Sequence, residues 1–124
     1  MSQAKPLIID CHGHYTTAPR QLQAYRDGQV AGAKNPAYAP ARANLGITDD
    51  EIRQSLEGAQ LKIQRERGTN LTVFSPRAMG MGHHIGNEAT SKYWSEACND
   101  LIHRVCTLYP DNFVGVCQLP QSPG

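Results

Sequence analysis

The chain has 124 residues, 40% of them hydrophobic and 6% aromatic, with a formal net charge of +1. That gives room for one small domain with a modest core. The near-neutral balance leaves no electrostatic footprint for nucleic acid or an anionic membrane. No apolar run approaches the roughly 20 residues of a membrane span. The opening Met1-Ser2-Gln3-Ala4-Lys5-Pro6 has no apolar signal core, so a cytoplasmic location is the expectation.

Residues 7–12 open on the apolar run Leu7-Ile8-Ile9 and read as a buried parallel strand. It ends in His12-Gly13-His14. Strand alternation would place Asp10, His12 and His14 on one face, with Ile9, Cys11 and Gly13 on the other. Imidazoles at i and i+2 lie roughly 6–7 Å apart at Cα, so both can turn nitrogens onto one divalent metal. Gly13 is expected to keep bulk off that site and let the strand bend. The alternative is two hydrogen-bonded histidines at a strand end with no metal.

Residues 15–47 are rich in proline, glycine and alanine. Thr17 and Pro19 suit the start of a short helix burying Leu22, Tyr25 and Val30. The segment is expected to be either a lid or substrate loop, or else a surface excursion or partner contact. Thr48-Asp49-Asp50-Glu51 is a capping box. Ile52, Leu56, Ala59 and Ile63 then give one helical apolar face, closed by Arg65, Arg67 and Gly68.

Residues 69–74 read as a second strand, broken by Ser75-Pro76. A glycine-punctuated loop comes next, containing His83-His84. Residues 89–109 carry a helical stripe of Trp94, Ala97, Cys98, Leu101, Ile102, Val105 and Leu108. Residues 113–119 read as a third strand. Cys11, Cys98, Cys106 and Cys117 have neither C-x-x-C nor zinc-finger spacing and read as reduced core residues.

Strands alternating with helices imply right-handed crossovers and a parallel sheet. Three strands do not close an architecture. The fold class expected is therefore α/β, with residues 1–124 the N-terminal portion of a (β/α)8 TIM barrel, which needs about 250 residues. A compact three-strand domain is the alternative. In parallel α/β folds, sites lie beyond the C-terminal strand ends. That rim gathers His12 and His14, then Ser75 through His84, then Gln118-Leu119-Pro120. Arg77 after rigid Pro76 suits a bidentate grip on a carboxylate, or is an exposed loop arginine. Ser75 would add a hydroxyl donor. Of His83 and His84, at most one should enter the site. His103 and Trp94 read as a surface and a core residue, and Gly80-x-Gly82 lacks the residues of a phosphate loop.

The stretch from Ile8 to Pro19, with Asp10-Cys11-His12-Gly13-His14-Tyr15 at its centre, resembles the opening of the 4-oxalomesaconate hydratase family. That family lies in the amidohydrolase superfamily, on the branch that also holds metal-dependent decarboxylases of the aminocarboxymuconate semialdehyde type. Thr69 to Arg77, the Gly82-His83-His84 loop and Asn112 to Pro120 resemble it too. The resemblance implies a distorted barrel holding one divalent metal, usually zinc. His12 and His14 match its first-strand ligands, and the other ligands come from later strands. It implies addition of water to the carbon–carbon double bond of 4-oxalomesaconate in the breakdown of lignin-derived aromatics. The substrate would then be a small polycarboxylate oriented by Ser75 and Arg77. His84 is this chain's candidate for proton transfer, alongside residues on later strands. A homo-oligomer is expected, with no nucleic-acid or membrane partner. The alternatives are a non-oxidative decarboxylase of the same superfamily, or an inactive truncated piece.

Overall fold

The computed structural model describes residues 3–77, 82 and 84–121. Its elements in chain order are β1 (Ile9–His14), α1 (Arg20–Gly32), α2 (Asp49–Glu57), α3 (Gln60–Arg67), β2 (Leu71–Ser75), α4 (Glu88–Leu108) and β3 (Phe113–Gly115). The strands form one parallel sheet in the order β1-β2-β3. No described helix is long and apolar enough to cross a membrane.

Helices cover one face of this sheet. Along β2, Thr72 and Phe74 are buried, while Leu71, Val73 and Ser75 alternate on the opposite side and are half-buried. Phe74 stacks between Tyr15 and Phe113, with ring centroids 5.4 and 4.6 Å away. These rings share a core with Ile52, Leu56 and Leu61 from α2 and α3, and with Leu101, Ile102 and Val105 from α4. On β3, Phe113 is buried, and a Cβ on Gly115 would press on Ile102 and Cys106. Both residues therefore face the helices and Val114 faces away.

The first strand was expected to be buried, yet Ile9 is 50% exposed and Leu7 and Ile8 are exposed as well. Each outer strand pairs on one side only among the described residues, and the uncovered face carries Val114 in the open. Cys11 and Cys117 are exposed for the same reason, contrary to the core reading; Cys98 is buried. β3 is also shorter than expected, although the Val116 N–H still donates to Phe74 O at 2.9 Å.

The single helix expected after Thr48 is two helices. The capping box forms as read: Glu51 N–H donates to Thr48 Oγ1, and Thr48 N–H donates to the Glu51 carboxylate. The break falls at Gly58-Ala59, where Ala59 has φ −134° and ψ −99°. Glycine resists helix more than any residue but proline. The side chains buried are Ile52, Leu56, Leu61 and Gln64, whereas Ile63 is exposed. Leu56 and Leu61 are five residues apart, about 140° out of line on a continuous helix. The break re-aims α3 so that Leu61 reaches the core. Gly68 closes α3 at φ +68°, the left-handed conformation expected of it. Thr17 does not cap α1; that helix starts after Pro19 without a side-chain cap.

Burial pushes the Cys98 thiol up to about 12. A raised acid stays protonated in the folded chain while the unfolded thiol ionises. Its stabilisation is therefore full below the ordinary thiol value of 9.0 and is lost as pH rises from there towards about 12. The expected slope is up to about 1.4 kcal/mol per pH unit. Urea titrations at several alkaline pH values, with Cys98→Ala as control, read this slope directly. Native alkylation with iodoacetamide should also leave Cys98 unmodified.

Candidate metal centre

Strand β1 carries the two histidines, but not in plain alternation. Asp10 pairs with Thr72 and Gly13 with Phe74, so β1 uses three steps where β2 uses two. This is a bulge, and it reverses the facing of the residues beyond it. Asp10 Oδ1 accepts the His12 N–H at 3.1 Å, a local turn bond that stabilises the extra residue. Asp10 and Gly13 consequently share the helix-covered side, where both line a cavity of about 160 Å³ with Gln64, Thr72 and Phe74. Asp10 therefore does not join the histidines, which corrects the strand-alternation reading. Gly13 is also needed for a different reason. A Cβ there would lie 2.4 Å from Thr72 Cγ2 and 3.3 Å from Phe74. It permits close approach of β1 to β2 on the helix side.

Beyond the bulge, His12 and His14 meet. Their Nε2 atoms are 2.8 Å apart and their ring centroids 4.8 Å apart, at an interplanar angle of 70°. The hydrogen-bond partners of His14 decide its tautomer. Nδ1 lies 3.1 Å from Pro76 O, which can only accept, so Nδ1 carries the proton. The same N–H reaches Ser75 Oγ at 2.7 Å, and the Ser75 hydroxyl donates onward to Gly13 O at 3.0 Å. Nε2 of His14 is thus left as a lone pair facing His12. That lone pair needs a positive partner, either the His12 Nε2 proton or a cation held by both rings. Two imidazole nitrogens about 2.0–2.1 Å from a shared zinc are about 2.8–3.4 Å apart for angles between square and tetrahedral. The observed separation and tautomer fit a metal-binding pair. Among the described residues, no third His, Cys, Asp or Glu completes a metal-binding group.

The Ser75 hydroxyl, read as a donor to substrate, donates here to Gly13 O and lies against His14 Nδ1, so within this chain it also holds the His14 ring. Replacing it tests that role. Ser75→Ala in the full-length protein should weaken zinc binding by about 10–100-fold, and Ser75→Thr should retain most of it. Competition with a chromogenic chelator measures both.

Behind β1 stands a polar scaffold whose pattern is not apparent in the sequence. Tyr15 is buried, its phenol donates to Ser55 Oγ at 2.6 Å, and Ser55 donates to Ile52 O. Burial raises the Tyr15 pKa above its ordinary value. Gln60, set at the start of α3 by the helix break, donates to Thr16 Oγ1 at 3.2 Å and to His14 O at 3.4 Å. The Thr17 hydroxyl lies 2.7 Å from Gln60 Oε1. The end of β1 is therefore tied to the α2–α3 junction by residues with no motif of their own.

Arg77 lies two residues past β2 and is half-buried. It lines a cavity of about 30 Å³ with Tyr15, Leu22 and Trp94, on the same rim as His14. His84 is exposed in the loop before α4. His83 lies outside the described residues.

A family model described as Amidohydrolase matches residues 9–124. The chain belongs to the amidohydrolase family. Members are generally metal-dependent, and the three parallel strands with their crossovers are the opening units of the family's (β/α)8 barrel. The chain is 49% identical over 117 residues to a 2-keto-4-carboxy-3-hexenedioate hydratase of Sphingobium sp. (strain NBRC 103272 / SYK-6), covering 94% of this chain and 34% of that protein. It is 51% identical to the crystal structure of 4-oxalomesaconate hydratase LigJ from Rhodopseudomonas palustris, with a TM-score of 0.84 over 95% of this chain and 35% of that one. An amidohydrolase II structure shares the fold at 23% identity, with a TM-score of 0.56 over 91% of this chain and 31% of that one. The chain spans about a third of the length of the relatives it matches.

Proposed function

We propose that this chain supplies the first-strand ligands of a zinc centre in a hydro-lyase. Its reaction adds water across the carbon–carbon double bond of an unsaturated oxo-polycarboxylate of the 4-oxalomesaconate type, as in lignin-derived aromatic breakdown. The observation that carries this reading is the facing Nε2 pair of His12 and His14, with the His14 tautomer set by Pro76 O and Ser75. Two relatives named as hydratases, at 49% and 51% identity, supply the reaction class.

His12 and His14 would hold the metal through Nε2. When bound, it supplies a Lewis acid that polarises a substrate oxygen or acidifies water. Ser75 and Pro76 keep the His14 ring in one orientation and one tautomer. Arg77, on the neighbouring strand end, would clamp a substrate carboxylate with two parallel hydrogen bonds. His84 is this chain's candidate for moving the proton at carbon, with later strands supplying further ligands. A homo-oligomer and a cytoplasmic location belong to the same proposal.

The test is an ultraviolet assay on the zinc-loaded full-length protein with 4-oxalomesaconate. Hydration removes the conjugated absorbance without releasing carbon dioxide. Carbon dioxide in step with the absorbance change would make the protein a decarboxylase instead. Unchanged absorbance would overturn both readings.

A further inference from the structure

The buried face of α1 is mostly polar: Leu22, Arg26 and Gln29, spaced four and three residues apart, all turn inward. They meet α4 in register. Gln29 Nε2 donates to Thr90 O at 3.1 Å, and one turn further along α4 the Arg26 guanidinium lies over the Trp94 ring at 5.0 Å. Arg26 Nη1 donates to Gln29 Oε1 at 3.0 Å, which ties the two contacts together. Leu22 completes the stripe beside Trp94, and both line the same small cavity as Arg77, with Tyr15 as a further wall.

Trp94 is 4% exposed, and its Nε1–H has no acceptor among the described residues. The plane of the indole is thus set by what packs on its faces rather than by a hydrogen bond to them. A cation over an aromatic face is attracted to it, most strongly where both are desolvated. Arg26 is 3% exposed, so this brace works out of water. The backbone beside Arg77 is fixed from the other side, where Pro76 O accepts from His14 Nδ1 at 3.1 Å. The long arginine side chain needs a second restraint, because it loses rotamer freedom when it grips a carboxylate.

We propose that Trp94, braced by Arg26, is a positioning residue for Arg77: the indole and Leu22 hold the arginine side chain ready at the strand-end rim before a substrate carboxylate arrives. This rests on the reading of Arg77 as the carboxylate clamp and adds how the chain prepares it. The helix between β1 and α2 then serves as a buttress for the substrate side of the site.

The experiment uses the zinc-loaded full-length protein. Calorimetry measures binding of tricarballylate, a non-reactive tricarboxylate, to wild type, Arg77→Met, Trp94→Leu, their double variant and Arg26→Met. Zinc affinity and Tm are read on the same samples. Arg77→Met should weaken tricarballylate by at least about 30-fold. Trp94→Leu should weaken it by about 3–10-fold, the ordering cost of one side chain, and raise KM for hydration to match, with kcat changed less and zinc affinity unchanged. In the double variant the Trp94 substitution should add nothing, since no arginine is left to position. Trp94→Phe keeps a ring face for Arg26 and should restore most of the binding. Should Trp94→Leu fail to fold, Arg26→Met carries the test, with a several-fold loss expected and partly recovered in Arg26→Lys. Losses that add in the double variant, or a lower Tm with unaltered tricarballylate binding, would overturn the positioning role and leave Arg77 as the clamp. Undiminished binding by Arg77→Met would remove the clamp and the positioning role together. Non-additive dependence on Arg77 and Trp94 in a protein that hydrates nothing would leave the positioning role standing and remove the hydratase reading.

Discussion

Changing His12 and His14 together to alanine in the full-length protein is expected to lower zinc affinity by at least about 100-fold and to abolish hydration. The magnitude comes from ligand arithmetic. Loss of a residue that only orients a ligand costs about 10–100-fold, so loss of two ligands must cost more. The single variants should differ. His14 arrives pre-oriented by Ser75 Oγ at 2.7 Å and Pro76 O at 3.1 Å, whereas His12 is the more exposed ring. A ligand held in place before binding loses less entropy on binding. His14→Ala should therefore cost more affinity than His12→Ala. Chelator competition and circular dichroism, run together, separate lost binding from lost fold. Undiminished zinc uptake by the folded double variant would end the metal reading of this strand.

Much of this centre is written in local sequence. The H-x-H pair, the Pro76 stop after β2, the capping box at Thr48 and the left-handed Gly68 each depend on near neighbours in the chain. Sequence reasoning located all of them. It failed where a distant partner decides. Alternation puts Asp10 on the face of the two histidines, but the bulge turns it to the helix side. The cause is a pairing offset against Thr72 and Phe74, about sixty residues away. The α2–α3 break is signalled by Gly58, yet its purpose shows only once Leu61 must reach the core. The Tyr15–Ser55–Gln60 scaffold has no pattern at all, since each residue is an ordinary polar one until the fold joins them. Arg26 sits among polar neighbours on a helix read only for its apolar face. In the opposite sense, the apolar run at residues 7–9 promises burial that these strands alone do not give. Ile9 stays exposed because its neighbours in a closed barrel would come from other segments.

The bulge also yields the sharpest structural prediction, at Gly13. Its φ is not positive, so alanine meets no backbone strain there. The obstacle is steric alone: a new Cβ at 2.4 Å from Thr72 Cγ2, with Val73 O and Phe74 at 3.3 Å. Thr72 cannot simply rotate away, because its hydroxyl accepts from buried Gln64 Nε2 at 2.6 Å. Gly13→Ala should therefore cost about 3 kcal/mol, the upper range for overpacking. In the full-length protein that corresponds to a Tm lower by roughly 5–10 °C. It should also weaken zinc binding, because β1 must lift from β2 between the two histidines. The decisive control is the double variant Gly13→Ala with Thr72→Ser. Serine lacks Cγ2 and keeps the hydroxyl for Gln64, so most of the stability and metal affinity should return. The two substitutions must then be strongly non-additive. Additive losses would mean that Thr72 is not the obstacle and that the bulge does not set the histidine pair.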